Sequence, residues 1–206
     1  MKIAGFQPFS LCDYPGRVAS VVFTQGCNFH CGFCHNGGLI RQDVPVTRLM
    51  SQDDCLQRLA DRAGFLDGVV ISGGEPTLQP DLGEFCRRVK ALGLRVKLDT
   101  NGSRPDVIRA AIEGRWIDFV AMDVKAPFDR YGQVTCADVE ISSIKASIRL
   151  IADSGVEHEF RTTWVRSLLT EADLAALRAA LPGGSPHRIQ PFVPELASDP
   201  GRRLAS

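Results

Sequence analysis

Short runs rich in β-branched and apolar residues alternate along the chain with longer stretches in which apolar positions recur every three or four residues. The runs Val18–Thr24, Gly68–Ser72, Leu94–Thr100, Ile117–Lys125, Val156–Val165 and Arg188–Val193 predict strands. The last is the weakest, because Pro191 cannot donate to a ladder. Between them, Leu82, Phe85, Cys86, Val89 and Leu92 fall on one helical face, as do Ile141, Ile144, Ile148 and Ile151. Ser51 and Thr170 each stand before a helical pattern with an Asp three positions on, Asp54 and Asp173, a capping-box arrangement with Asp in place of Glu. Pro105–Glu113 predicts a shorter helix with proline in its first turn.

Strands followed by helices imply right-handed βαβ units on a parallel sheet. Six such units fall short of the eight of a closed barrel. The expected fold is therefore α/β: a single domain over residues 1–195, a partial (β/α)6 TIM-like barrel of parallel strands, followed by a polar tail at 196–206. In such folds chemistry gathers at the C-terminal ends of strands. The segments Cys27–Asn36, Gly73–Pro76, Asp99–Gly102 and Asp123–Lys125, and Arg161, fall there.

Charge narrows the field of partners. Lys+Arg and Asp+Glu balance at 24 each, so no basic field drives nucleic-acid binding. No stretch approaches the roughly 18 apolar residues of a membrane helix, and the N-terminal segment does not read as a secretory signal. A cytoplasmic location, without membrane or nucleic-acid partners, is expected. Cysteine is present seven times, an odd number, with three between Cys27 and Cys34. That pattern suits one metal site in a reducing compartment better than a disulfide framework. Cys86 and Cys55 read as core residues, Cys12 as part of a turn, and Cys136 has no predicted role. Trp116 and Trp164 also read as core, and His158 and His187 as surface or strand-end residues.

The triplet itself, Cys27-x3-Cys31-x2-Cys34, admits two readings. Three thiolates can hold three irons of a four-iron cluster and leave the fourth iron open. The same three with His30 or His35 could instead make a structural zinc site.

C-x3-C-x2-C after the first of these strands resembles the signature of the radical S-adenosylmethionine (SAM) superfamily, and Gly73-Gly74-Glu75-Pro76 its GGEP motif. The resemblance implies a [4Fe-4S] cluster on Cys27, Cys31 and Cys34. It also implies reductive cleavage of SAM to methionine and a hydrogen-abstracting 5′-deoxyadenosyl radical. His35-Asn36, Asp99-Thr100-Asn101-Gly102 and Asp123-Val124-Lys125 are similar to elements of the activases of glycyl-radical enzymes. The stretches GFQPFSLCDYPG, VVFTQGCNFHCGFCHN and EFRTTWV look like the group that activates anaerobic ribonucleoside-triphosphate reductase. By that resemblance Asn36, Gly73, Gly74, Glu75, Asp99, Asn101, Asp123, Lys125 and Arg161 bind the cofactor. Lys125 pairs with its carboxylate and is also the expected catalytic side chain. Asp99 and Asp123 help bind a monovalent cation beside that carboxylate, and on the residues alone two carboxylates at the ends of adjacent strands would repel unless a cation lay between them. The implied partner is a large glycyl-radical enzyme, the anaerobic ribonucleotide reductase. An external donor such as flavodoxin or ferredoxin is implied as well, since no second cysteine cluster lies between Cys34 and Ser51.

One departure stands out. Related activases carry a His near the last strand, where this chain has Gln190-Pro191-Phe192-Val193-Pro194; Ile189 or Phe192 would supply apolar contact instead. The competing readings are action on another glycyl-radical enzyme or on a small nucleotide-like substrate, and a zinc-stabilised binding module without redox activity.

Overall fold

The computed structural model describes residues 1–197. Among them seven strands form one sheet in chain order: β1 (Ile3–Ser10), β2 (Ala19–Thr24), β3 (Gly68–Gly73), β4 (Arg95–Thr100), β5 (Phe119–Asp123), β6 (Glu157–Trp164) and β7 (His187–Pro191). Strands β2 to β7 are parallel and are the six predicted ones. Even β7 pairs in register, because Pro191 sits at its last position on the sheet edge.

Strand β1 was not expected. It runs antiparallel to β2, and its ladder is irregular between Gln7 and Ser10, where Pro8 lies. A bulge at proline on an edge strand keeps pairing possible while removing the alternation that would reveal it. The sheet is thus parallel except at this edge.

The helices are α1 (Gln52–Ala60), α2 (Leu82–Ala91), α3 (Pro105–Glu113), α4 (Tyr131–Thr135), α5 (Ile141–Asp153) and α6 (Glu171–Ala180). Ser51 Oγ accepts the Asp54 N–H at 3.0 Å, and Thr170 and Asp173 form a reciprocal capping box. Helix α4 escaped the periodicity because five residues are too few to show one. The helix faces read from the sequence are buried: Phe85, Cys86 and Val89 on α2, Ile144, Ile148 and Ile151 on α5. Cys55 is buried as well. Trp116 and Trp164 are only half-buried, each with an arginine (Arg87, Arg166) over the ring. His187 Nε2 meets Thr162 Oγ1 at 2.9 Å, and His158 lies between Val156 O and Ser185 Oγ.

Two apolar clusters hold the molecule together. The larger lies between the sheet and its helices. The smaller lies on the sheet's other face and joins Tyr14, Ala19, Val21, Val70, Phe119 and Ala121. Alternation along each strand puts every second residue on this inner face. The register stacks them in rows: Val21–Val70–Lys97–Phe119 below, then Asp99 beside Ala121, and Asp123 beside Arg161 above. The inner face therefore changes from an apolar floor to a charged upper end, a layering typical of barrel interiors.

No described pairing joins β7 to β1, so the barrel is open on one side. Among the described residues no helix is long and apolar enough to cross a membrane. Most of the predicted tail, residues 198–206, lies outside the described residues.

Candidate active site

The C-terminal ends of the parallel strands surround a cavity of about 310 Å³, and all 12 predicted site residues line it. Each strand end delivers its part through local geometry that the sequence dictates.

After β2 the chain turns at Gly26, whose φ of +99° is a conformation that L side chains rarely adopt. The N–H groups of Gly26 and Cys27 bond the carbonyls of Leu39 and Ile40 at 2.7 and 3.0 Å, which closes the intervening segment into a ring. Buried Gln25 braces it from beneath, its Nε2 donating to Arg41 O at 2.7 Å. Phe29 and Phe33 turn inward, Phe29 edge-on to Tyr131, while the His30 N–H bonds Thr135 O at 2.9 Å. The unpredicted α4 is thus the outer support of the cysteine loop. Burial pushes the Cys27 thiol up to about 12 and the Cys31 thiol up to about 11, with Lys125 opposing the shift at both. As thiolates these groups need a cation, which a metal supplies.

Gly73 and Gly74 were expected to let the cofactor approach. The structure gives them a second duty. A Cβ on Gly73 would collide with the Thr24 backbone, and one on Gly74 with the Gly26 carbonyl. The pair lets the end of β3 press against the base of the cysteine loop, where the N–H groups of Gly74 and Glu75 bond Thr24 O and Gly26 O at 2.9 and 2.8 Å. Glu75 is fully buried. Its Oε1 accepts from Thr77 N, Thr77 Oγ1 and Thr100 Oγ1, and its Oε2 from Asn101 N at 2.7 Å. Burial raises its pKa, while these donors oppose the shift. Glu75 therefore fastens the ends of β3 and β4 to each other. Asn101 continues the connection, its Nδ2 donating to Asn28 Oδ1 at 2.9 Å beside Cys27.

The charged end of the cavity is one continuous network. Lys97 Nζ lies 2.5 Å from Asp99 Oδ1, and Arg161 Nη1 lies 3.3 Å from Asp99 Oδ2. Arg161 Nε reaches Asp123 Oδ1 at 2.8 Å, and Lys125 Nζ reaches Asp123 Oδ2 at 2.9 Å. Burial works against charge on Asp123, yet Arg161 and Lys125 hold its carboxyl well below the usual range. Lys125 in turn is held above its usual value despite burial, chiefly by Asp123. Arg161, expected to bind the cofactor, bridges the two carboxylates. Lys97 was assigned no role from the sequence. Its signal was present: a lysine two residues before Asp99 on one strand must share its face.

Where a histidine was missing from the last strand, the cysteine loop supplies one. His35 stacks on Phe192 with ring centroids 5.7 Å apart and planes 17° apart, and Phe33 meets Phe192 edge-on. These rings bridge the loop after β2 and the end of β7 across the open side.

The Radical SAM superfamily model matches residues 21–176. The chain belongs to the radical SAM superfamily. A protein of Methanocaldococcus jannaschii provisionally named as a glycyl-radical enzyme activating enzyme is 36% identical over 205 residues, covering 96% of this chain and 82% of that one. A 7-carboxy-7-deazaguanine synthase of Methanopyrus kandleri is 26% identical over 234 residues, covering 88% and 89%. Among solved structures, Streptococcus suis SuiB bound to S-adenosylmethionine shares the fold with a TM-score of 0.68 at 14% identity. That match covers 88% of this chain but only 41% of SuiB.

As a radical SAM protein the chain takes a [4Fe-4S] cluster and SAM, and its residues fit both. Three thiols from one braced loop share a cavity wall with a backbone-tight glycine turn, and Lys125 lies near enough to Cys31 to shift it. Among the described residues no three Cys, His, Asp or Glu converge as ligands of a single ion; in a four-iron cluster each thiolate takes a different iron.

Proposed function

We propose that this radical SAM enzyme generates a glycyl radical on a large partner, the anaerobic ribonucleoside-triphosphate reductase. The observation that carries the reading is the convergence of Cys27, Cys31 and Cys34 with Asp123, Lys125 and Arg161 on one cavity at the C-terminal ends of the parallel strands. When bound, the cluster supplies the electron that splits the SAM sulfonium and yields the radical that removes a hydrogen atom from a glycine.

The chain's own residues bind and orient. Cys27, Cys31 and Cys34 hold three irons. Lys125 offers a point charge to the methionine carboxylate of SAM, and Asn36, Gly73 and Gly74 border its amino end. Glu75 and Asn101 act from behind, fixing the strand ends. His35, Phe33 and Phe192 form an aromatic wall for the adenine, in place of a histidine from the last strand. The open side leaves room for a peptide loop of the partner, and a flavodoxin or ferredoxin delivers electrons from outside. A cytoplasmic setting belongs to the same reading.

A second reading has its own support. The match to a 7-carboxy-7-deazaguanine synthase over 88% of this chain favours a small nucleotide-like substrate for the same site.

The test is electron paramagnetic resonance on protein reconstituted with iron and sulfide without oxygen, reduced, with and without SAM. The expected result is a four-iron signal that changes on adding SAM and is absent when Cys27, Cys31 and Cys34 are all replaced by Ala. A colourless zinc protein would sink the proposal. Formation of 5′-deoxyadenosine only with the partner separates the first reading from the second.

A further inference from the structure

We propose that the cofactor site works without a bound monovalent cation, because Lys97 and Arg161 already stand as the counter-ions of Asp99 and Asp123. The inference rests on the reading that Asp99, Asp123 and Lys125 face SAM.

Each of the four carboxylate oxygens already has a cationic nitrogen on it. Asp99 Oδ1 takes Lys97 and Asp99 Oδ2 takes Arg161, while Asp123 Oδ1 takes Arg161 and Asp123 Oδ2 takes Lys125. Ser72 Oγ adds a further donor to Asp99 Oδ2 at 3.1 Å. Three cations against two carboxylates leave a net charge of +1. A sodium or potassium ion would have to share oxygens that already accept N–H donors, and it would enter among three like charges.

Nor is the arrangement a chance of flexible side chains. Asp123 and Arg161 are ladder partners on adjacent strands, and Lys97 and Asp99 share a face two residues apart. Lys97 is completely buried, with its Nζ 5.9 Å above the Phe119 ring, so water does not compete for it. A buried lysine is retained where it is paired. Lys97 is thus a positioning residue at the foot of a relay that runs through Asp99, Arg161 and Asp123 to Lys125. The surplus positive charge suits a single ligand carboxylate.

The experiment measures SAM affinity by anaerobic calorimetry on the cluster-loaded enzyme, with potassium, sodium or tetramethylammonium as the sole monovalent cation. Tetramethylammonium is too large to sit between the carboxylates. The expected dissociation constants agree within about twofold. A loss of about tenfold or more in tetramethylammonium, restored by sodium or potassium, overturns the proposal.

Lys97→Met removes one built-in cation at similar length. In tetramethylammonium it is expected to weaken SAM binding about tenfold, with partial recovery in sodium or potassium. A folded, iron-replete Lys97→Met enzyme with unchanged affinity and no cation response removes Lys97 from the relay. Should that variant not fold, thallium-205 resonance on the wild-type chain decides without SAM. No ion held at the site is expected, whereas one thallium bound per chain and lost in Asp99→Asn overturns the inference. Absence of SAM binding in every buffer would strike the proposed function, and the thallium measurement would still decide this inference.

Discussion

Glu75 shows how a motif residue can serve a site from behind. Its carboxylate collects four direct hydrogen bonds from Thr77, Thr100 and Asn101. Glu75→Gln places an amide N–H₂ where donors already point, and is expected to cost about 1–3 kcal/mol in urea denaturation. Gly74→Ala drives a Cβ into the Gly26 carbonyl and is expected to destabilise the fold by about 1–3 kcal/mol. It should also lower the iron bound after reconstitution, measured by metal analysis against the wild type. At this scale the sequence named the residues that line the cavity but not the partners that hold them. Motif spacing identifies a side chain. Who fastens it depends on strand register, which links Thr100 to Glu75 across 25 residues and Arg161 to Asp99 across 62. Lys97 lay in plain view two residues before Asp99, and only its complete burial revealed its weight.

Among the elements, those with a strong local code were legible. The Ser51 and Thr170 caps and the apolar stripes of α2 and α5 needed no tertiary information, because capping and burial periodicity are written within one helix. Thr170→Ala is expected to lower stability by about 1 kcal/mol, read as a shift in the denaturation midpoint with unchanged slope. Strand β1 and helix α4 were not legible. Pro8 and Gly5 obscure β1, which exists because β2 offers it an edge. The short α4 has no periodicity of its own; the Thr135 carbonyl that receives the His30 N–H gives it a purpose that only the folded chain displays.

For the whole molecule, counting βαβ units gave the open barrel, since six parallel strands cannot close as eight do. The charge network makes the assembly sensitive to acid. The Asp123 carboxyl sits below its ordinary value in the folded chain. Its contribution is therefore complete above the unfolded-state pKa of about 3.9 and is lost as pH falls through the folded value. Thermal melts should show stability falling below about pH 4. Asp123→Asn should flatten this part of the profile while lowering stability at neutral pH.

The missing seam between β7 and β1 has a mechanical meaning. A closed barrel can widen only by breaking a ladder of hydrogen bonds, but an open sheet can uncoil slightly with every ladder intact. Across the gap at the upper rim, the His35–Phe192 stack spans what would otherwise be a free edge. A single aromatic contact of this kind is worth about 0.5–1.5 kcal/mol. The rim is therefore held across the gap by ring contacts, far weaker than a ladder, and that is where the barrel wall yields at least cost.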